Sequence, residues 1–161
     1  MFGFRYLKPI RDLLRIYSTE TSPRQLALAL ALGMVIGLMP KGNLIAVALS
    51  VLLFSLRVNL GTGLTTIFVV SCFAPRLDPL THGIGYRLMN VPAIYDRLAA
   101  WYQLPVVPWT SLNNSVVLGS FVLGAALFYP VFHLSESLLS AASDWRKRRR
   151  KPSEFQLETQ S

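Results

Sequence analysis

Four stretches of the chain are apolar and almost free of charge, and they restrict it to a helical membrane fold. They cover residues 25–40, 44–56, 60–75 and 116–139, within which Glu136 is the one residue among Asp, Glu, Lys and Arg. At a rise of about 1.5 Å per helical residue, the first stretch reaches about 24 Å, whereas the hydrocarbon core of a bilayer measures about 30 Å. The last stretch alone is long enough to cross it fully.

Composition favours the same class of protein. Of the 161 residues, 52% are hydrophobic and 15% are charged, which is too apolar for a soluble domain of this length. In such a chain a net charge of +8 reflects loops that orient helices and bind anionic lipid, so we expect no nucleic acid as a partner. The single cysteine, Cys72, excludes an intrachain disulfide and a cysteine-built metal site, and we expect no cofactor.

Basic residues gather at both ends of the chain. Across residues 1–20 they alternate with apolar residues at helical spacing, which predicts an amphipathic helix in the headgroup region; packing on a soluble partner is the alternative. Residues 142–161 form a basic cytoplasmic tail that we expect to be disordered, with nucleic-acid binding or nuclear targeting as the weaker interpretation of its cluster. The cations assigned to anionic lipid are Arg5, Lys8, Arg11, Arg15, Arg146, Lys147, Arg148, Arg149, Arg150 and Lys151.

This distribution also predicts the orientation in the membrane. Five Lys and Arg residues lie within the first 24 residues and six within 146–151, compared with three in the connection 76–111. Because basic residues are retained in the cytoplasm, both termini should be cytoplasmic and the number of crossings even. The connection is rich in Tyr and Trp, so we expect it to lie along the far membrane surface, with a short helix at about residues 93–103.

The sequence GLMPKGNLIAV, residues 37–47, interrupts the apolar region. Proline at position 40 ends one short helix, Gly42 permits a turn, and the next helix should begin at about Asn43. Since neither segment reaches about 30 Å, we predict a re-entrant or tilted hairpin whose tip, including Lys41, is buried among the other helices. The alternative is a plain hairpin with Lys41 at the far surface.

Small residues recur at helical spacing in two of the apolar stretches. Ala29, Gly33 and Gly37 are separated by four residues each, and Gly119 and Gly124 lie in the last stretch. Such faces let a neighbouring helix backbone approach closely in a membrane. We therefore assign these five residues to helix packing.

Several short motifs follow one another in a fixed order: Ser22-Pro23, the helix with Gly33 and Gly37, the break at 40–43, Arg57 with Asn59, and LDPLTHGIGY at 77–86. Over roughly residues 5–90 this order resembles the bacterial membrane-protein family known as domain of unknown function DUF2062. The resemblance implies a small inner-membrane protein without an established catalytic residue, and it looks closest to a subgroup associated with a larger envelope protein. Where the family has Asn-Pro this chain has Asp78-Pro79, which puts in doubt any role of an uncharged amide there.

We therefore expect an all-α, polytopic protein of the bacterial inner membrane. Its parts are the amphipathic helix, a short helical hairpin broken at Pro40 and two further membrane helices within a membrane domain at residues 21–141. The first functional hypothesis is a non-enzymatic subunit or adaptor of a cell-envelope complex. Its partner would be a larger envelope protein or a second copy of the chain.

Two other hypotheses place chemistry in the polar residues. In a transporter or lipid-handling protein, the free backbone N–H groups after Pro40 would bind an anion such as a phosphate headgroup. The members of that site would be Lys41, Gly42, Asn43, Arg57, Asn59, Asp78 and His82. In a purely structural interpretation, Lys41 and Arg57 mark helix ends while Asp78 and His82 lie in a solvated loop. A membrane enzyme with Asp78 and His82 as an acid/base pair is the remote alternative, because no nucleophile motif accompanies them.

Overall fold

The computed structural model describes the backbone of residues 22–158 and the side chains of residues 22–145. All regular structure in this part of the chain is helical. The helices are α1 (Pro23–Leu38), α2 (Leu44–Ser55), α3 (Leu60–Met89), α4 (Pro92–Trp101), a short 3-10 helix (Val107–Thr110) and α5 (Ser115–Glu158). The amphipathic helix predicted for residues 1–20 and the side chains of the basic cluster at 146–151 lie outside the described residues.

The first helix begins with a capping box. The Ser22 hydroxyl accepts a hydrogen bond from the Gln25 N–H at 3.3 Å, and the Gln25 side-chain oxygen accepts one from the Ser22 N–H at 3.1 Å. This reciprocal pair satisfies two of the N–H groups that a helix start leaves open. Proline 23 occupies the first helical position, where its missing N–H costs nothing.

The bundle has three mutually packed helices, α1, α3 and α5, while α2 packs on the outside, mainly against α1. The alignment of close contacts gives the helix directions. Gly33 packs on Gly63 and Gly37 on Val70, so α1 and α3 run in the same direction. Further along α3, the backbone at Thr81 contacts Gly119, and Gly85 contacts Ser115, so α3 and α5 are antiparallel.

Two of these helices are long and apolar enough to cross a membrane: α3 and residues 115–145 of α5. With 30 residues, α3 is about 45 Å long at the usual helical rise. In contrast, α1 has 16 residues and α2 has 12, so both are shorter than a full crossing.

The structure corrects the predicted end of the third segment. Helix α3 does not stop at residue 75 but continues through Pro75 and Pro79 to Met89. The first part of the predicted connection, 76–111, is therefore helical. A proline removes one backbone hydrogen bond and its ring strains the preceding turn, but a helix packed against neighbours can continue through it. Here α5 packs on the part of α3 that follows both prolines.

The last helix is also longer than the sequence analysis predicts. Helix α5 extends past residue 139 and runs through the region 142–158 that we expected to be disordered. Arg and Lys are good helix formers, so a helix that leaves the apolar region can continue into a basic segment. Within the connection, the residue range of α4 (Pro92–Trp101) nearly coincides with the short helix expected at about residues 93–103.

Candidate functional site

The turn between α1 and α2 contains the lysine that the sequence analysis singled out. The Lys41 ammonium donates hydrogen bonds to the Ile36 carbonyl at 2.9 Å and to the Met39 carbonyl at 3.3 Å. Carbonyls at a helix end lack intrahelical partners, so Lys41 caps the C-terminus of α1. Partial burial lowers the pKa of the Lys41 ammonium below its ordinary value.

Two residues close the turn after Lys41. Gly42 has a φ of +96°, in the left-handed region that favours glycine. Asn43 is 3% exposed, and its amide group donates to the Pro40 carbonyl at 2.6 Å while its side-chain oxygen accepts from the Ala46 N–H at 2.8 Å. Asn43 therefore holds the turn and caps the start of α2 at the same time.

The tip of this hairpin is more exposed than predicted. Met39 and Asn43 are buried, but Lys41 and Gly42 are exposed to the surroundings of the chain. The expectation that Lys41 is enclosed by the other helices is thus wrong for this chain. The reason is the direction of its side chain, which folds back along the end of α1 to reach two carbonyls instead of entering the bundle.

Arg57 and Asn59 lie at the opposite end of α2 from this turn. The 12 residues of α2 separate the two groups by about 18 Å along the helix. The Asn59 side chain accepts a hydrogen bond from the Thr62 N–H at 2.8 Å and so caps the start of α3. The structure therefore does not bring these two residues together with Lys41 in one anion site.

Asp78 and His82 lie within α3, one helical turn apart, and not in the solvated loop of the structural interpretation. The Nδ1 atom of His82 is hydrogen-bonded to the Ser115 hydroxyl of α5 at 2.6 Å. Between them, Thr81 is buried at the α3–α5 contact and its hydroxyl donates to the Asp78 carbonyl at 3.1 Å. The hydrogen bond of His82 therefore joins α3 to α5, whereas the bond between Thr81 and Asp78 lies within α3.

The small residues assigned to packing all lie at helix contacts. A Cβ atom on Gly33 would come within 2.7 Å of the Gly63 carbonyl oxygen, and one on Gly37 within 2.7 Å of the Val70 Cβ. A Cβ on Gly119 would overlap the Thr81 carbonyl. Of the remaining two residues, Gly124 packs against Val35, and Ala29 is fully buried.

One feature of the structure is absent from the sequence predictions. A cavity opens between the end of α3 and α4, and three tyrosines line it: Tyr86, Tyr95 and Tyr102. From the sequence alone, the tyrosines of this region are typical of membrane-surface anchors. Tyr95 lies in α4 and Tyr102 follows its last residue; the spacing of seven residues between them is the signal that could have indicated a shared surface.

Comparisons with known proteins show similarity over most of the chain. A family model described as "Uncharacterized protein conserved in bacteria (DUF2062)" matches residues 7–151. A protein of Treponema pallidum (strain Nichols), named only as an uncharacterized protein, is 25% identical over 135 residues, which is 84% of this chain and 83% of that relative. No solved structure matches the chain.

Proposed function

The chain belongs to DUF2062, a family of uncharacterized proteins conserved in bacteria, and from this premise we propose that it is a non-enzymatic subunit or adaptor of a cell-envelope complex. The family match confirms the resemblance seen in the ordered motifs and extends it to residues 7–151. Within this proposal the protein is a multi-pass protein of the bacterial inner membrane. Its partner is a larger envelope protein or a second copy of the chain.

The observation that carries the proposal is the apolar surface that the bundle leaves uncovered. Only 6% of the most apolar part of α3 is buried within the chain. Large side chains such as Phe68 and Phe73 on α3 and Phe54 on α2 are more than half exposed. Large exposed apolar side chains in this number need lipid or another protein around them.

The polar contacts at the turn support an adaptor more than a transporter. Lys41 and Asn43 are both engaged in hydrogen bonds that end α1 and begin α2. An anion bound at the turn would have to compete with the two carbonyls for the Lys41 ammonium. The transporter or lipid-handling alternative rests on the exposure of Lys41 and Gly42, which leaves the turn accessible to a phosphate headgroup.

Orientation and lipid contacts complete the proposal. In this proposal both termini lie in the cytoplasm, where their basic residues contact anionic lipid. A reporter that is active only outside the cytoplasm tests this arrangement when it is fused at Pro105 and, separately, at Ser161. The proposal requires activity at Pro105 and none at Ser161, and the reverse pattern would refute it.

Site-specific crosslinking in intact membranes tests the adaptor role. A photoreactive amino acid replaces Phe54, which is 58% exposed on α2. In a second variant it replaces Tyr129, an exposed residue on α5, so that two faces of the bundle are probed. A stoichiometric crosslink from one position to a larger protein, or to a second copy, supports the proposal. Products containing only phospholipid at both positions would refute the adaptor role and favour lipid handling.

A further inference from the structure

A half-open cavity of about 640 Å³ lies in the angle between the end of α3 and α4. Its polar and aromatic lining consists of Tyr86, Asn90, Tyr95, Asp96, Tyr102 and Asn113. Apolar side chains, including Met89 and Leu98, complete the walls. A volume of this size accommodates a small organic group together with part of an attached chain.

Hydrogen bonds hold the walls of the cavity in place. The Tyr102 hydroxyl donates to the Asn113 side-chain oxygen at 2.9 Å and accepts from the Asn113 N–H at 2.8 Å. This pair fixes the segment before α5 against the end of α4. The Asn90 amide donates to the Tyr86 carbonyl at 2.9 Å, where α3 ends, and so holds the side chain of one lining residue in place. The cavity is therefore formed by the fold itself.

The charge of the lining selects the kind of ligand. Among the described residues that line the cavity, Asp96 is the only charged one, although the chain as a whole carries +8. Arg87 and Arg97 each follow a lining residue in the sequence but do not line the cavity. Tyrosine ring faces and a carboxylate both attract cations, whereas an anion would be repelled by Asp96.

We propose that this cavity binds an organic ammonium group, with the ethanolamine headgroup of a phospholipid as its source. Asp96 pairs with the ammonium, and the faces of the tyrosine rings surround it. The end of α3 and the start of α5 are adjacent, since Gly85 packs on Ser115, so the cavity lies at one end of both helices of spanning length. Headgroups lie at that depth, and Met89 and Leu98 contact the apolar part of the lipid.

The lipid source rests on the membrane placement proposed above, whereas the ammonium chemistry does not. Binding to the purified full chain in a nonionic detergent is measured by native mass spectrometry. The probes are dioctanoyl-phosphatidylethanolamine, dioctanoyl-phosphatidylglycerol and water-soluble glycerophosphoethanolamine. We expect the ethanolamine lipid to bind about tenfold more tightly than the glycerol lipid. Equal affinity for the two lipids would overturn the proposal. If glycerophosphoethanolamine binds as tightly as its lipid, the ammonium site stands and the lipid source is refuted.

Variants identify the groups that bind. Asp96→Asn should weaken the ethanolamine lipid about tenfold, because it removes the one lining charge. Tyr95→Leu should weaken binding severalfold while Tyr95→Phe, which keeps the ring face, retains it. Asp144→Asn and Tyr129→Leu make the same changes on α5, away from the cavity, and should leave affinity unchanged. Losses of equal size in these controls would refute the site. Since the isolated chain is used, the result is independent of any envelope partner.

Discussion

Helices α1 and α2 are both short, both apolar and separated by a five-residue turn, yet α1 is largely buried in the bundle and α2 is not. α1 lies at the centre, enclosed by α3 and α5, and most of its second half is buried. α2 lies outside the bundle, and Ala46 and Leu53 are its buried residues. Hydrophobicity is therefore not what decides which helix becomes central.

The difference follows from side-chain size. Alanine and glycine dominate the buried face of α1, and a Cβ on Gly33 would lie 2.7 Å from the Gly63 carbonyl oxygen, so the α1 and α3 backbones are in direct contact. α2 is built from larger residues, and Val47, Val51 and Phe54 are more than half exposed. In lipid, bulky apolar side chains gain little from packing, whereas small ones permit close backbone approach.

Helix α1 is short, and polar side chains satisfy backbone groups at both of its ends. Where the bundle lies in a membrane, as proposed above, a helix of 16 residues is too short to cross the hydrocarbon core, so the polar groups at its ends need partners. Ser22 and Gln25 supply them at one end and Lys41 at the other. The chain turns at Pro40 because Pro40 and Gly42 do not continue the helix, and the side chains of Lys41 and Asn43 satisfy polar groups of the turn.

The largest effect should come from filling the α1–α3 contact. Gly33→Leu places a side chain where the Gly63 carbonyl and Thr66 lie within 3 Å, and it should lower the free energy of unfolding by about 3 kcal/mol. Reversible unfolding in mixed detergent micelles measures this loss. The matched change in α2 is Ala48→Leu at an exposed position, which should alter stability by less than about 0.5 kcal/mol. Similar losses for the two variants would remove the distinction between central and peripheral helices.

A smaller effect tests one of the two places where α2 joins the core. Leu53 is 0% exposed and packs with Leu32 and Ile36 of α1. Leu53→Ala should lower the free energy of unfolding by about 2 kcal/mol. Most of this loss comes from the cavity that the substitution leaves, because the side chain of the unfolded protein lies in the apolar micelle and not in water. Its neighbour Leu52 is 44% exposed, and Leu52→Ala should cost much less. The same unfolding assay measures both variants. A larger loss of unfolding free energy for Leu52→Ala than for Leu53→Ala would contradict the packing described.

Local features of the fold could be predicted from the sequence because they depend on neighbouring residues. The break at Pro40, the start of α2 after Asn43 and the small-residue face at Gly33 and Gly37 all follow from propensity and spacing. The continuation of α3 beyond Pro75 could not be predicted from the sequence, since it depends on the packing of α5 against the later turns of α3. Tertiary contacts there outweigh the local preference for a break.

The candidate site shows the same division. Lys41, Gly42 and Asn43 are adjacent in sequence, so their proximity was certain, and the structure adds which groups they contact. Arg57 and Asn59 were grouped with them by residue type, and the length of α2 separates them. The tyrosine cavity depends on how α4 folds against α3, which no local pattern specifies.

The turn that joins the two helices offers a more moderate test. Asn43→Ala removes the cap on the Ala46 N–H and the bond to the Pro40 carbonyl, and it should cost about 1.5 kcal/mol in the free energy of unfolding. Asn43→Ser keeps a side-chain acceptor for the Ala46 N–H and loses the amide donor to the Pro40 carbonyl without burying a charge, so its loss of stability should be smaller. If the two variants are equally destabilised, the bond to Pro40 and not the cap is what holds the turn.

The smallest stability effect is expected at Lys41, and it separates the structural role of this residue from a functional one. Lys41→Met removes two hydrogen bonds to the end of α1 at an exposed position, where interactions with a helix terminus contribute about 0.5 to 1 kcal/mol. If capping is its whole role, the variant should be slightly less stable and should still recover a crosslinked envelope partner in normal yield. Arg57→Met, which removes one cation from the opposite end of α2, is the matched control. A variant of Lys41 that folds normally but no longer recovers the partner, while Arg57→Met recovers it, would contradict a purely structural role. The turn would then be the point at which the exposed helix α2 and the enclosed helix α1 together meet a ligand.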